Sequence, residues 1–159
     1  MAERQQLTWL LKRFQELSVD ELYDIMYIRQ QVFIVEQNCP YSDLDKKDQQ
    51  ALHLSGYIPT SSSGGELAAY ARILAPGVSY SEPAIGRIVT APKWRGHHFG
   101  IALMQEALRR AEQLFGKRDI RIGAQTYLID WYGRFGFVPV GERYDEDGIE
   151  HVEMLRKGH

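Results

Sequence analysis

The residues from Ile88 to Leu103 read I-V-T-A-P-K-W-R-G-H-H-F-G-I-A-L: an apolar run, a proline break, a basic glycine-containing loop and an amphipathic start. In that order the loop opens a helix, whose first backbone N–H groups have no partner inside the helix and carry the positive end of its dipole. Lys93 and Arg95 add charge beside them, so the simplest ligand is a phosphate or pyrophosphate. Further on, W-Y-G-R-F-G-F sets Tyr132 among Trp131, Phe135 and Phe137. A phenol there could donate a proton, although spacing alone favours a core aromatic.

Charge follows the same geography. The chain carries a net charge of −2, yet the stretch from Arg87 to Arg121 holds eight Lys and Arg against three acids. This suits a multiply charged anion at the loop. Nucleic acid is not expected, because the other segments are acidic. Acids recur in Glu36, Asp43, Asp45 and Asp48, then in Asp145, Glu146, Asp147 and Glu150, which points to a cationic partner. The single cysteine, Cys39, excludes an internal disulfide and a multi-cysteine metal site, and it fits a reducing cytoplasm. Cys39 has no basic neighbour to activate it as a nucleophile. His97-His98 lacks further ligands at metal-binding spacing, so no metal is expected. No apolar run nears the roughly 18 residues of a membrane span, and the N-terminus lacks the order of a secretory signal.

The elements that must position these residues follow from periodicity. A chain of 159 residues predicts one domain over residues 1–159. Leu7 to Phe14 reads as a strand, and Ser18 to Glu21 has capping-box spacing. The helix it opens runs through Leu22, Ile25, Met26, Arg29, Val32 and Phe33, followed by a loop over residues 37–50. His53 to Ile58 and Glu66 to Leu74 read as paired strands, joined by a mobile connection at Ser61 to Gly65. A strand ending at Thr90 precedes the loop. The second helix runs from about Gly100 to Phe115 and stops at Gly116. Asp119 to Ala124 alternates as a strand, Thr126 to Phe135 reads as a short helix, and Phe137 to Tyr144 with His151 to Arg156 form a closing hairpin. The order β-α-β-β-β-α-β-α-β-β predicts an α/β fold with a mixed sheet.

Together, the strand, the R-G-x-x-x-G loop, the helix and W-Y-G-R-F-G-F resemble the GCN5-related N-acetyltransferase (GNAT) superfamily. Its pattern (Gln/Arg)-x-x-Gly-x-(Gly/Ala) falls on Arg95-Gly96-His97-His98-Phe99-Gly100, with His98 where the middle glycine stands. A non-glycine residue with negative φ could still donate its N–H there. The blocks R-Q-Q-V-F-I-V-E-Q-N-C-P-Y (residues 29–41), His53-Leu54, Gly123-Ala124-Gln125 and Y-D-E-D-G-I-E-H (residues 144–151) are similar to the ElaA-type subgroup and span nearly the whole chain.

The resemblance implies a mostly antiparallel sheet flanked by helices, and direct transfer of an acetyl group from acetyl-CoA to a primary amine. It implies that the backbone of Ile88, Val89 and Thr90 pairs with pantetheine, and that Val89 or Thr90 donates to the thioester oxygen. Arg95 to Ile101 (Arg95, Gly96, His97, His98, Phe99, Gly100, Ile101) would hold the pyrophosphate. Gln125, seven residues before Tyr132, stands where the wider family has an asparagine that contacts pantetheine. Tyr132 would protonate the leaving thiolate.

The acceptor, a small molecule or peptide amine, would enter between the first helix and the final hairpin, near Arg29, Phe33, Glu36 and Gln37. No acid lies in the strand before the loop, so Glu36, Glu150, His53 and His151 stay open as bases. Two other readings stand beside this one: Arg29-x-x-Val32-Phe33 also resembles acyl-homoserine-lactone synthases, and the loop alone would suit a non-catalytic acyl-CoA sensor. A homodimer is left open.

Overall fold

The computed structural model describes residues 6–60 and 65–158. The connection read at Ser61 to Gly65 therefore lies, except for Gly65, outside the described residues. Seven strands form one sheet in the order β1-β2-β3-β4-β5-β7-β6: β1 Thr8–Arg13, β2 Leu52–Ile58, β3 Glu66–Leu74, β4 Ala84–Thr90, β5 Ile120–Gln125, β6 Phe137–Glu146 and β7 Ile149–Arg156. Neighbours are antiparallel except β4 and β5, so the sheet is mixed and mostly antiparallel, as expected.

Alternation along β3 decides what covers each face. Ala69, Ala71 and Ile73 point to one side, where Leu103, Met104, Ala107 and Ala111 of α2 (Phe99–Phe115) pack on them. Tyr70 points to the other, against Ile25, Ile28 and Val32. Each fully buried Leu, Ile or Met among them contributes about 1.5–3 kcal/mol. The first helix, α1 (Val19–Arg29), opens with the expected capping box: Glu21 N–H donates to Ser18 Oγ at 3.0 Å, and Ser18 N–H to Glu21 Oε1 at 2.8 Å. A short α3 (Ile129–Gly133) follows one turn of 3₁₀ helix over Thr126–Leu128.

Two irregularities matter for function. The α-helical expectation fails after Arg29, where Gln30–Glu36 forms a π-helix. Gln37 N–H bonds to Val32 O at 3.2 Å and Cys39 N–H to Ile34 O at 3.1 Å, each five residues back. The wider turn changes which side chains share a face, so spacing at 3.6 residues misplaces residues 33–37.

The second lies in β4. Its register slips between Tyr70↔Val89 and Arg72↔Gly86, so Arg87 and Ile88 together face one residue of β3, and Arg87 has φ 50°. Beyond this bulge Ala91 N–H bonds to Ala68 O at 2.8 Å. Antiparallel alternation then directs Val89 at β3 and leaves the N–H and C=O of Ile88 and Thr90 facing β5. There, among the described residues, they meet no strand: the β4–β5 pairing is Ala84↔Arg121 alone, and the strands part toward Thr90 and Gln125.

Candidate active site

The gap between β4 and β5 is overlooked by the start of α2. Thr90, Trp94, Arg95, Gly96, His98, Phe99, Gly100, Ile101 and Trp131 line an open groove of about 260 Å³ there. The cap position of α2 offers no side-chain hydrogen bond and the first turn holds no acid. The first helical bond, Ala102 N–H to His98 O, leaves the N–H groups of Phe99, Gly100 and Ile101 directed out of the helix end. Gly96 has φ 86° with open space where a Cβ would be, and at Gly100 a Cβ would touch only Trp131 and Thr90. A phosphate can therefore approach the backbone.

His98 corrects the sequence expectation of negative φ: it sits at φ 61°, ψ 23°, in the left-handed region. That conformation favours glycine, and here histidine bears the strain. Its neighbours anchor the loop. Phe99 is buried with Ile58 and Ala68, and His97 stacks on Phe99 with ring centres 5.5 Å apart. Trp94 Nε1 is buried at the groove wall without a hydrogen-bond partner among the described residues.

Most of the basic residues around this loop are paired in space. Lys93 pairs with Glu66 at 3.2 Å, Arg87 with Asp43 at 2.7 Å, Arg121 with Glu82 and Glu153, and Arg109 and Arg110 with Glu106. Arg95 itself forms a two-pronged pair with Glu36, Nη2 to Oε1 at 2.7 Å and Nη1 to Oε2 at 2.9 Å. Those bonds hold the Glu36 carboxyl below the usual carboxylate range.

Tyr132, on α3, is buried edge-on to Trp131 and Phe137, and Trp131 in turn lines the groove. Its hydroxyl has no hydrogen-bond partner among the described residues. Burial, with a smaller push from Tyr127, raises it to about 12. Gln125 ends β5 at the open side of the gap, and its amide lies 3.4 Å from that of Gln37.

The residues expected to meet the acceptor divide. Glu36 and Gln37 stand at the gap, whereas Phe33 packs half-buried on the α1 core. Arg29 is fully buried, 0% exposed, and its guanidinium is consumed by Asp43 Oδ2 at 2.9 Å, Asp48 Oδ1 at 2.7 Å and the Asp43 carbonyl at 3.1 Å. It has no surface to offer an acceptor. Burial by itself would depress its pKa, but the Asp48 hydrogen bond and the charges of Tyr70, Asp43 and Asp48 raise it instead. Arg72 joins the same network through Asp45 at 2.8 Å and Asp48 at 3.1 Å. The acids of residues 43–48, which suggested a cationic partner, are thus held by Arg29, Arg72 and Arg87. Sequence spacing gave no sign of this network, since its partners lie 14 or more residues apart.

The four candidate bases also separate. His53 is 0% exposed, with Nδ1 2.7 Å from Tyr70 Oη and Nε2 2.9 Å from Asp48 O, and burial pushes it down, only partly offset by the Asp48 carbonyl bond. Glu150 bonds to Thr126 and Arg143. Glu36 holds Arg95. His151 donates from Nδ1 to Ile149 O at 2.8 Å, and its Nε2 lies 3.5 Å from Glu146 Oε2. The ring stacks on Tyr144 and lies opposite Gln125 in the β5–β7 ladder. Among the described residues no group of three His, Cys, Asp or Glu is placed to hold a metal ion.

This architecture has known counterparts. The profile of the acetyltransferase (GNAT) domain family matches residues 31–157. Protein ElaA of Escherichia coli strain K12 is 38% identical over 153 residues, covering 95% of this chain and 97% of its own. The crystal structure of an acyl-CoA N-acyltransferase from Pseudomonas aeruginosa superposes with a TM-score of 0.86 at 38% identity, covering 94% of this chain and 99% of the other. The acyl-homoserine-lactone synthase LasI superposes with a TM-score of 0.76 over 96% of this chain and 90% of its own, at 13% identity, a likeness of fold alone.

Proposed function

The chain belongs to the GNAT acetyltransferase family as an acyl-CoA-dependent acyltransferase, and from that premise we propose that it moves an acetyl group from acetyl-CoA directly to a primary amine. One observation carries the proposal: the uncapped start of α2 opens onto the gap where β4 and β5 part. A ligand that is anionic at one end and amide-bearing along its arm fits both. In this reading Arg95 and the N–H groups of residues 96–101 hold the diphosphate. The gap-facing backbone of Ile88 and Thr90 receives the arm as an added strand would, and Gln125 supplies an amide from the opposite lip. Fixing donor and acceptor in line contributes on the order of 7–11 kcal/mol to such a transfer.

Thr90 N–H, unlike that of Val89, faces the gap and can stabilise the thioester oxygen as it gains charge. Tyr132 acts on the departing sulfur. A phenol raised to about 12 stands roughly 3.5 units above a thiol near 8.5, an uphill proton transfer of about 5 kcal/mol. Tyr132 therefore serves first as a hydrogen-bond donor to the nascent thiolate, with solvent completing the protonation. Its unpartnered hydroxyl is free for that bond.

Calorimetric titration with acetyl-CoA tests the donor half; absence of saturable heat refutes it. A panel of primary amines assayed for CoA release tests the transfer. Tyr132→Phe should keep acetyl-CoA affinity within about twofold and lower kcat by about 10²–10³, the cost of losing one hydrogen-bond donor to developing charge. Unchanged turnover would remove Tyr132 from the chemistry, and binding without release for any amine would favour a sensor.

A further inference from the structure

We propose that Glu36 is a gate on the donor site: it occupies Arg95 in place of the donor's diphosphate, and diphosphate binding displaces it, leaving an unpaired carboxylate at the gap. The proposal rests on the reading of the α2 groove as the diphosphate site.

Arg95 presents Nη1 and Nη2 to the two oxygens of Glu36 at 2.9 and 2.7 Å. That is the fork a guanidinium uses for a phosphate, so a phosphate seated end-on at Arg95 takes the two N–H groups that Glu36 holds. Neither side chain is buried; they are 46% and 42% exposed. A pair in water exchanges readily, and a diphosphate backed by the helix start carries more negative charge than one carboxylate.

Position makes the exchange consequential. Glu36 is the last residue of the π-helix Gln30–Glu36, and Gln37 beside it touches Gln125 across the gap. This one helix end therefore meets both lips of the donor site. Among the described residues Glu36 has Arg95 as its sole hydrogen-bonding partner, so release leaves its carboxylate unpaired. Asp43, Asp45 and Asp48 could not play this part, being held by Arg29, Arg72 and Arg87.

The test compares wild type and Glu36→Gln by calorimetry with two probes, acetyl-CoA and S-acetylpantetheine, which lacks the diphosphate. Removing the competitor should tighten acetyl-CoA about 2- to 5-fold, the span of an exposed ion pair, and leave S-acetylpantetheine unchanged. Equal, weaker or probe-independent binding overturns the gate. No saturable heat with acetyl-CoA in wild type overturns the donor site itself, and the gate with it. A second measurement needs no variant: the carboxyl carbon of Glu36, followed by NMR against pH, should titrate higher with free CoA bound than without. An unshifted titration in the complex also overturns the proposal.

Discussion

Replacing Arg29 by methionine should cost the fold about 3–4 kcal/mol. Removing one member of a buried ion pair costs roughly 3–5 kcal/mol, because the charge left behind has lost both water and partner. The lower part of that range applies, since Asp48 keeps Arg72 at 3.1 Å and Asp43 keeps Arg87 at 2.7 Å. The Arg29 guanidinium over the Tyr70 ring, 6.0 Å from its centre, is lost as well and keeps the cost from falling further. Against a total of about 5–15 kcal/mol this is a large fraction, and it translates to a Tm lower by about 6–16 °C. Urea denaturation followed by tryptophan fluorescence reads the cost. Adding Asp48→Asn should recover part of it, because without Arg29 the network holds three carboxylates, Asp43, Asp45 and Asp48, against Arg72 and Arg87, and the second change removes the excess charge. If Arg29→Met unfolds with wild-type parameters and instead raises the KM of an amine acceptor, then Arg29 faces substrate and the buried network is wrong.

Two further expectations concern the loop and pH. His98→Gly should stabilise the protein by up to about 1 kcal/mol in urea denaturation, since glycine adopts φ 61° without strain while the N–H stays available; equal or lower stability would mean the histidine side chain compensates. Stability should fall in two steps on acidification. Folded His53 is pushed down, so below about pH 6.5 the unfolded chain takes up a proton that the folded imidazole refuses. Asp45 and Asp48 are held low by Arg72 and Arg29 against the raising effect of burial, so their contribution is complete above about pH 4 and is lost as pH falls further. Urea midpoints measured from pH 8 to 3 should show both steps, and His53→Gln should remove the first; a flat profile down to pH 4 contradicts the His53 assignment.

Local rules explain what the residue pattern made visible. Ser18 and Glu21 cap α1 because a capping box needs only four adjacent residues, and Gly116 stops α2 for a similarly local reason. The order of strands and helices was legible on the same basis, whereas the mostly antiparallel sheet followed from the family resemblance. What stayed hidden depends on partners far apart in the chain or on a change of helical period. Arg29 sits on an apolar stripe, and nothing within a turn of it reveals that Asp43 and Asp48 fold back onto its guanidinium. The π-helical turn breaks the period that would place Phe33, Glu36 and Gln37. The left-handed φ of His98 was hidden because the motif records that glycine is usual there, not which φ the loop imposes.

These hidden features are mechanically joined. Arg29 ends α1 and Glu36 ends the π-helix that continues it, seven residues on. The buried network fixes Arg29, and through Asp43, Asp45 and Asp48 it fixes the loop that follows Gln37. Cys39 adds a bond from Sγ to Asp147 O at 3.3 Å, which ties the same segment to the β6–β7 turn. The π-helix is thus clamped at both ends, and its wide turn is the geometry that satisfies both clamps while bringing Glu36 to Arg95 and Gln37 to Gln125. A helix of ordinary period between the same anchors would turn these side chains to other directions. Arg29, read from the sequence as facing the acceptor, instead acts one step removed: its buried network sets where the π-helix ends, and so which residues stand at the α2 groove.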